Sequence, residues 1–87
     1  MAQVIVYSKA LCPYCDQAKM LLTQKNVEFT EIRADLDPTA LTEMLAKSEG
    51  RRTFPQIFIN GKGIGGFSDL WDLEQQGQLN TLLNEEN

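Results

Sequence analysis

The only two cysteines of the chain, Cys12 and Cys15, are separated by two residues, the first of which is Pro13. This spacing occurs in zinc sites, but zinc needs four N, S or O ligands, and the chain has no histidine and no third cysteine. Zinc shared between two chains and a passive structural disulfide remain as alternatives. So small a disulfide loop gains only about 2 kcal/mol from the bond. The pattern therefore favours a redox-active dithiol.

The position of the pair relative to a helix supports the redox interpretation. Pro13 fits the first helical position, where its fixed φ and missing N–H cost nothing. Cys12 is then the N-cap residue, and its sulfur lies beside backbone N–H groups whose partial positive charge favours a thiolate. Lys9 is either an additional cation on the same side or an ordinary surface lysine. Because Cys15 lies one turn further in, we expect it to be more buried and to act as the resolving thiol after Cys12 attacks.

Length and composition limit the fold and its partners. The 87 residues predict a single domain over residues 1–87, and an apolar content of 43% is enough for a hydrophobic core. The net charge of −4 argues against a nucleic-acid partner. The N-terminus lacks a basic start, and no stretch approaches the roughly 20 apolar residues of a membrane span. A reversible dithiol belongs in a reducing compartment, so we expect a cytoplasmic protein with no membrane partner.

The first third of the chain predicts a strand, a helix and a second strand. Residues 3–8 are a run of β-branched and aromatic side chains typical of a buried strand. From Pro13 onward apolar residues fall on one helical stripe, and Asn26 is a helix stop signal. Residues 27–32 alternate apolar and polar side chains and predict the second strand. A connecting helix predicts that the two strands are parallel, in a right-handed βαβ unit.

The middle of the chain predicts a second helix and a third strand. Asp37 and Pro38 repeat the combination of a capping residue and a proline, and they open a helix that Gly50 ends. Residues 56–59 predict the third strand.

The rest of the chain predicts a hairpin and further helices. Asn60-Gly61 is a two-residue turn signal, so residues 63–64 are expected to return as a fourth, antiparallel strand. Ser68 is the predicted cap of a helix over residues 69–76.

A last helical turn is expected at residues 79–83, and residues 84–87 are expected to fray. The element order βαβαββα with a short C-terminal helix predicts an α/β fold with a four-stranded mixed sheet flanked by helices.

Three segments of the chain, in this order and spacing, resemble the glutaredoxin family. They are Cys12-Pro13-Tyr14-Cys15 after the first strand, Thr53-Phe54-Pro55 before the third, and Gly65-Gly66-Phe67-Ser68-Asp69 before the next helix. The first segment is similar to the dithiol class of the family and differs from the Trp-Cys-Gly-Pro-Cys of thioredoxins and the Cys-Gly-Phe-Ser of monothiol relatives. The resemblance implies a thioredoxin-like fold and reduction of glutathione mixed disulfides and protein disulfides. It also implies glutathione as co-substrate, with no bound cofactor and no metal.

The resemblance also implies a glutathione site. Its residues would be Lys9, Tyr14, Arg52, Thr53, Phe54, Pro55, Gly66, Phe67, Ser68 and Asp69, with Cys12 and Cys15 as the catalytic residues. In this site Pro55 would follow a cis bond, and the Phe54 backbone would pair with the substrate backbone. Tyr14 would form one wall. Lys9 and Arg52 would meet the glycyl carboxylate of glutathione. Ser68 and Asp69 would bind its γ-glutamyl end.

Two other functions remain open at the level of sequence. One is a small redoxin reduced by thioredoxin reductase, such as an electron donor to ribonucleotide reductase. The other is a dimer that carries an iron–sulfur cluster through Cys12 and glutathione, although Pro13 argues against it because cluster-forming dithiol relatives usually have a smaller residue there. We expect a monomer that acts on glutathione and on glutathionylated or disulfide-containing proteins.

Overall fold

The structure, a computed structural model, describes residues 2–84. Its elements follow the predicted order βαβαββα with a short C-terminal helix. They are β1 (Val4–Ser8), α1 (Pro13–Gln24), β2 (Thr30–Arg33), α2 (Pro38–Lys47), β3 (Gln56–Ile59), β4 (Lys62–Gly65), α3 (Phe67–Gln75) and α4 (Leu79–Asn84). None of the helices within these residues is long and apolar enough to cross a bilayer.

The four strands form one mixed sheet in the order β2-β1-β3-β4. The parallel pairing of β1 with β2 and the antiparallel pairing of β3 with β4 are confirmed. In the hairpin between β3 and β4, Asn60 and Gly61 have φ values of 51° and 81°. Positive φ at both central residues is what a type I′ turn requires, which explains why this dipeptide is such a strong hairpin signal.

Apolar side chains fill both faces of the sheet. One cluster packs residues of α1, α3 and α4, among them Leu22, Leu70 and Leu79, against the sheet. The other packs Met44 of α2 against Tyr7 and Phe58. The sheet is therefore the middle layer of an α/β/α sandwich, as the predicted fold class requires.

Two helix boundaries follow from local chemistry. The Asp37 carboxylate accepts hydrogen bonds from the backbone N–H groups of Thr39 and Ala40 at 3.0 and 3.3 Å, so the predicted cap of α2 is confirmed. Asn26, after the end of α1, has a φ of 59°, the left-handed conformation of a C-terminal stop.

Other boundaries differ from the sequence predictions. The second strand was predicted at residues 27–32, but β2 covers Thr30–Arg33, because the ladder starts where Thr30 pairs with Ile5. Val27 and Phe29 pack against the core before the ladder begins. Helix α2 ends at Lys47, ahead of the predicted stop. Asn84, predicted to fray, belongs to α4, and residues 85–87 lie outside the described part of the chain.

The pairing register brings four chain segments to one edge of the sheet. β1 and β2 are parallel, and their last residues, Ser8 and Arg33, are paired. Gln56, the first residue of β3, pairs with Tyr7 at the same end of β1, and Gly65 at the end of β4 pairs nearby with Ile57. The loops that follow β1, β2 and β4 and the segment that precedes β3 therefore meet at this edge.

Candidate active site

The two cysteines lie at the start of α1 and form a disulfide, with Cα atoms 5.2 Å apart. Cys12 is the N-cap residue and Pro13 the first helical residue, as predicted. The Cys12 Sγ accepts a hydrogen bond from the backbone N–H of Cys15 at 3.1 Å. Cys15 is 1% exposed and Cys12 only 7% exposed, so the expected difference in burial is small in the oxidised protein. The helix start thus supplies the N–H group that favours a negative sulfur at Cys12.

The loop between β1 and Cys12 is held by a charged pair at the end of β2. The Asp35 carboxylate accepts a hydrogen bond from the Ala10 backbone N–H at 3.1 Å. The Arg33 guanidinium donates two hydrogen bonds to the same carboxylate, at 2.8 and 2.7 Å. These Arg33 hydrogen bonds hold the pKa of Asp35 well below its usual range, with a further contribution from the Ala10 N–H. Leu11, which follows Ala10, has a φ of 54° and is almost fully exposed.

Sequence reasoning missed both Arg33 and Asp35. An arginine and an aspartate separated by one residue directly after a strand look like surface charges. The available signal was topological, since the carboxyl ends of two parallel strands meet at the same sheet edge. With that pairing, the loop after β1 is in reach of side chains that follow β2.

Thr53, Phe54 and Pro55 precede β3 at the same sheet edge. The Phe54–Pro55 bond is cis, as the resemblance implied. The buried Gln56 donates hydrogen bonds from Nε2 to the backbone oxygen and the hydroxyl of Thr53, at 2.9 and 3.1 Å. Lys9 Nζ lies 5.6 Å from the centre of the Phe54 ring. The structure therefore brings Lys9 and the proline segment together across the site.

The segment that opens α3 lies against the proline segment. A Cβ atom at Gly66 would be 3.5 Å from the Pro55 carbonyl oxygen, so the two backbones approach closely. The N-cap of α3 is Gly66, and the prediction that Ser68 caps this helix is wrong. The reason is that the Asp69 carboxylate accepts the Gly66 N–H at 2.9 Å, so the acidic side chain from the first turn performs the capping. Ser68 is inside the first turn of the helix.

Asp69 has a second partner in Arg51. The two charged groups are 3.6 Å apart, and both side chains are about half exposed. Arg52, which was predicted to help bind glutathione, is exposed and has no ion pair within residues 2–84. Arg52 directly precedes Thr53, so its backbone lies beside the proline segment.

Three aromatic rings connect α1 with α3 beside the cysteines. Tyr14 and Phe67 stack with ring centroids 6.3 Å apart, and Phe67 and Trp71 with centroids 6.2 Å apart. Tyr14 is 62% exposed and Trp71 45% exposed. The sequence alone indicates only a packing role for Trp71, but in the structure its ring extends the row that begins at Tyr14.

Comparisons with known proteins agree with this geometry. The family model described as Glutaredoxin matches residues 4–64. A probable glutaredoxin of Synechocystis is 49% identical over 94% of this chain and 75% of its own length. Glutaredoxin 3 of Escherichia coli K12 is 47% identical over 95% of this chain and 99% of its own length.

Solved structures give the same result. A crystal structure of wheat glutaredoxin matches 97% of this chain and 81% of its own chain, with 44% identity and a TM-score of 0.84. A crystal structure of a buckwheat glutaredoxin–glutathione complex matches 94% of this chain and 76% of its own, with 33% identity and a TM-score of 0.83. Because sequence and fold agree over nearly the whole chain and the cysteine pair fits the dithiol class, the protein belongs to the glutaredoxin family and is a glutathione-dependent thiol oxidoreductase.

Proposed function

We propose that Cys12 is the attacking thiol and Cys15 the resolving thiol of glutathione-dependent disulfide exchange. The observation that carries this assignment is the hydrogen bond from the Cys15 N–H to Cys12 Sγ. In the reduced protein the same N–H is positioned to donate to a thiolate, and hydrogen bonds to charged groups are roughly twice as strong as neutral ones. The Cys15 side chain is more deeply buried, at 1% exposed against 7% for Cys12.

The reaction needs only the two cysteines and glutathione. The Cys12 thiolate attacks the glutathionyl sulfur of a mixed disulfide, a Cys12–glutathione disulfide forms, and the target cysteine leaves as a thiolate that takes up a proton. A glutathione thiolate then attacks the glutathionyl sulfur, releasing glutathione disulfide and the Cys12 thiolate. In the alternative route Cys15 attacks Cys12 and expels glutathione, which gives the Cys12–Cys15 disulfide that two glutathione molecules later reduce.

Glutathione in this proposal lies across the edge where the segments meet. Its glycyl carboxylate would face Lys9 and Arg52, and its cysteinyl backbone would pair with the Phe54 backbone beside Pro55. The closeness of Lys9 to the Phe54 ring supports this placement. Tyr14 and Phe67 would form the wall on the side of α1, and Thr53 would extend the floor of the site.

The γ-glutamyl end of glutathione would lie at the start of α3. Its carboxylate would accept hydrogen bonds from the backbone N–H groups of Phe67 and Ser68 in the first turn, where the helix dipole favours an anion. Its ammonium would face the Asp69 carboxylate. The close approach of Gly66 to Pro55 supports a binding site continuous from the proline segment to this helix.

The substrates we propose are glutathionylated proteins and proteins with reducible disulfides. We infer that residues 1–87 act as a single domain and as a monomer in the cytoplasm, without a bound cofactor. The proposed chemistry requires no group beyond glutathione and no second subunit, and a reversible dithiol needs a reducing compartment such as the cytoplasm.

The decisive experiment measures reduction of a glutathionylated substrate by glutathione and glutathione reductase, beside a second reaction driven by thioredoxin reductase. We expect turnover in the first, loss of turnover in Cys12→Ser, and retained removal of glutathione in Cys15→Ser. Turnover with thioredoxin reductase alone would overturn the role of glutathione. An inactive Cys15→Ser beside an active Cys12→Ser would reverse the two assignments. Visible absorption after anaerobic purification would instead indicate an iron–sulfur carrier.

A further inference from the structure

A shallow apolar cleft runs between α1 and α3, beside the cysteines. Its volume is about 170 Å³, and we call it the α1–α3 cleft. It is lined by Gln17, Met20, Leu21, Gln24, Phe67 and Trp71. Met20 is 59% exposed, while Leu21, at 8%, is largely buried. The cleft is therefore an open surface feature whose floor belongs to the hydrophobic core.

The lining differs from the rest of the surface in composition. None of the six lining residues is charged, although 23% of the whole chain is Asp, Glu, Lys or Arg. Of the five large apolar side chains that are exposed within residues 2–84, Tyr14, Met20 and Trp71 lie at this cleft or stack on the rings that line it. Single exposed apolar residues are ordinary, but contiguous ones mark binding surfaces, and Trp, Tyr, Phe and Met are enriched at interface centres.

The cleft is continuous with the place where a substrate must bind. The glutathionyl sulfur of a mixed disulfide has to touch Cys12, and the cysteine sulfur of the protein substrate is bonded to it. Tyr14, two residues after Cys12, stacks on Phe67 at the cleft wall. Met20 lies eight residues beyond Cys12 on the same helix, which corresponds to about 12 Å at a rise of about 1.5 Å per residue. An extended peptide covers this distance in about three to four residues, at about 3.3 Å each.

We propose that the α1–α3 cleft binds an apolar side chain of the protein substrate, such as Phe, Leu or Met, three or four residues from its reacting cysteine. This inference rests on the proposed function, because it requires a polypeptide whose cysteine sulfur is bonded to the glutathionyl sulfur that Cys12 attacks. A cavity of about 150 Å³ accommodates a benzene-sized group. A charged side chain in the cleft would lose hydration without gaining a charged partner, so the cleft discriminates against Lys and Glu at that position.

The experiment compares glutathionylated peptides of one sequence that differ at a single position. In one set Phe stands one, three or four residues from the cysteine, before or after it, and in the matched set Ser replaces Phe. The mixed disulfide of glutathione with 2-mercaptoethanol serves as a substrate without a peptide. For the unchanged protein we expect Phe at three or four residues, on one side or both, to raise kcat/KM about three- to tenfold over Ser, with no preference at one residue.

Two variants assign the preference to the cleft. Met20→Gln changes an exposed side chain to a polar one of similar length, and Trp71→Ala removes the outer ring. Each is expected to reduce the Phe preference to less than twofold while turnover of the small mixed disulfide stays within twofold of the unchanged protein. Leu36→Gln alters an apolar residue that is 72% exposed and outside the cleft, and it is expected to keep the full preference.

The outcomes separate this inference from the proposed function. Equal kcat/KM for Phe and Ser peptides at every spacing overturns the inference, and so does a Phe preference that survives Met20→Gln with correct folding. A protein that fails with every glutathionylated substrate, including the small one, contradicts the proposed function instead. Because Met20 is exposed, its variant remains informative even if Trp71→Ala folds poorly.

Discussion

Asp69 is the residue whose substitution best separates binding of glutathione from stabilisation of a helix. Its carboxylate accepts the Gly66 N–H at 2.9 Å and lies 3.6 Å from the Arg51 guanidinium. Asp69→Asn keeps a side-chain oxygen that accepts the Gly66 N–H but removes the negative charge. Asp69→Ala removes both. If Asp69 binds the ammonium of the γ-glutamyl group, the two variants share a defect in catalysis and differ in stability.

The magnitudes follow from the exposure of the group. A hydrogen bond to a charged partner contributes about 1.5–3 kcal/mol, but the Asp69 side chain is 50% exposed, and screening by water moves the value toward the low end. We therefore expect both variants to lower kcat/KM for a glutathionylated substrate roughly five- to tenfold. Loss of the capping hydrogen bond in Asp69→Ala is expected to lower the free energy of unfolding by about 0.5–2 kcal/mol.

The assay measures kcat/KM with glutathione and glutathione reductase, and urea unfolding on the same preparations. Asp72→Asn is the matched control, because Asp72 is an aspartate about one turn further along the same helix, α3. It is expected to leave kcat/KM within about twofold. The rate at which Cys12 reacts with a small neutral alkylating agent should be unchanged in all three variants. Full kcat/KM in a stably folded Asp69→Asn would refute the role of the charge and leave Asp69 as a helix cap alone.

Three further predictions concern stability. Gly65 has a φ of 112° and a Cβ there would collide with the Asp69 carboxylate, so Gly65→Ala is expected to lower the free energy of unfolding by more than about 1 kcal/mol, and an unchanged urea midpoint would contradict this. Leu22 is fully buried, so Leu22→Ala is expected to lose about 2–5 kcal/mol by the same measurement, whereas a loss below 1 kcal/mol would show that the core closes around the gap. The hydrogen bond from the Lys19 ammonium, aided by one from the Ser8 hydroxyl, lowers the pKa of Glu31 from 4.5. The ionised Glu31 side chain therefore stabilises the folded protein fully above about pH 4.5, and this stabilisation is lost as the pH falls through the pKa of the folded state. Thermal unfolding of Glu31→Gln between pH 3 and pH 7 should therefore show a loss of about 0.2–1 kcal/mol near neutral pH that shrinks in acid, and a loss independent of pH would exclude the ion pair as its cause.

Much of the fold was predictable because its signals are local. A capping residue followed by proline defines the start of α1 at Cys12 and of α2 at Asp37, and these starts depend on neighbouring residues alone. The hairpin at Asn60 is local in the same sense. The predicted start of β2 is three residues too early because the apolar Phe29 looks like part of the strand. Phe29 instead packs against the core before strand pairing begins.

The parts of the site that escaped prediction depend on contacts between distant segments. The hydrogen bond from Ala10 to Asp35 joins residues that are 25 positions apart, and the residues around either one do not indicate that the two segments are in contact. The cap of α3 was assigned to Ser68 because serine is a frequent cap, but Asp69 fills that role through Gly66. Met20 and Trp71 can be recognised as parts of one surface cleft only when α1 and α3 are known to lie side by side.

The bracing of the loop before Cys12 has a consequence for the redox cycle. The Ala10 N–H donates to the Asp35 carboxylate, which Arg33 keeps ionised. Neither group contains sulfur, and neither gains a proton when the cysteines are oxidised or reduced. The hydrogen bond that holds the loop before Cys12 therefore does not depend on whether the cysteine pair is oxidised or reduced. We therefore expect the hydrogen bond between Ala10 and Asp35 to persist when the cysteine pair is reduced, so that a turnover does not require the loop before Cys12 to rearrange.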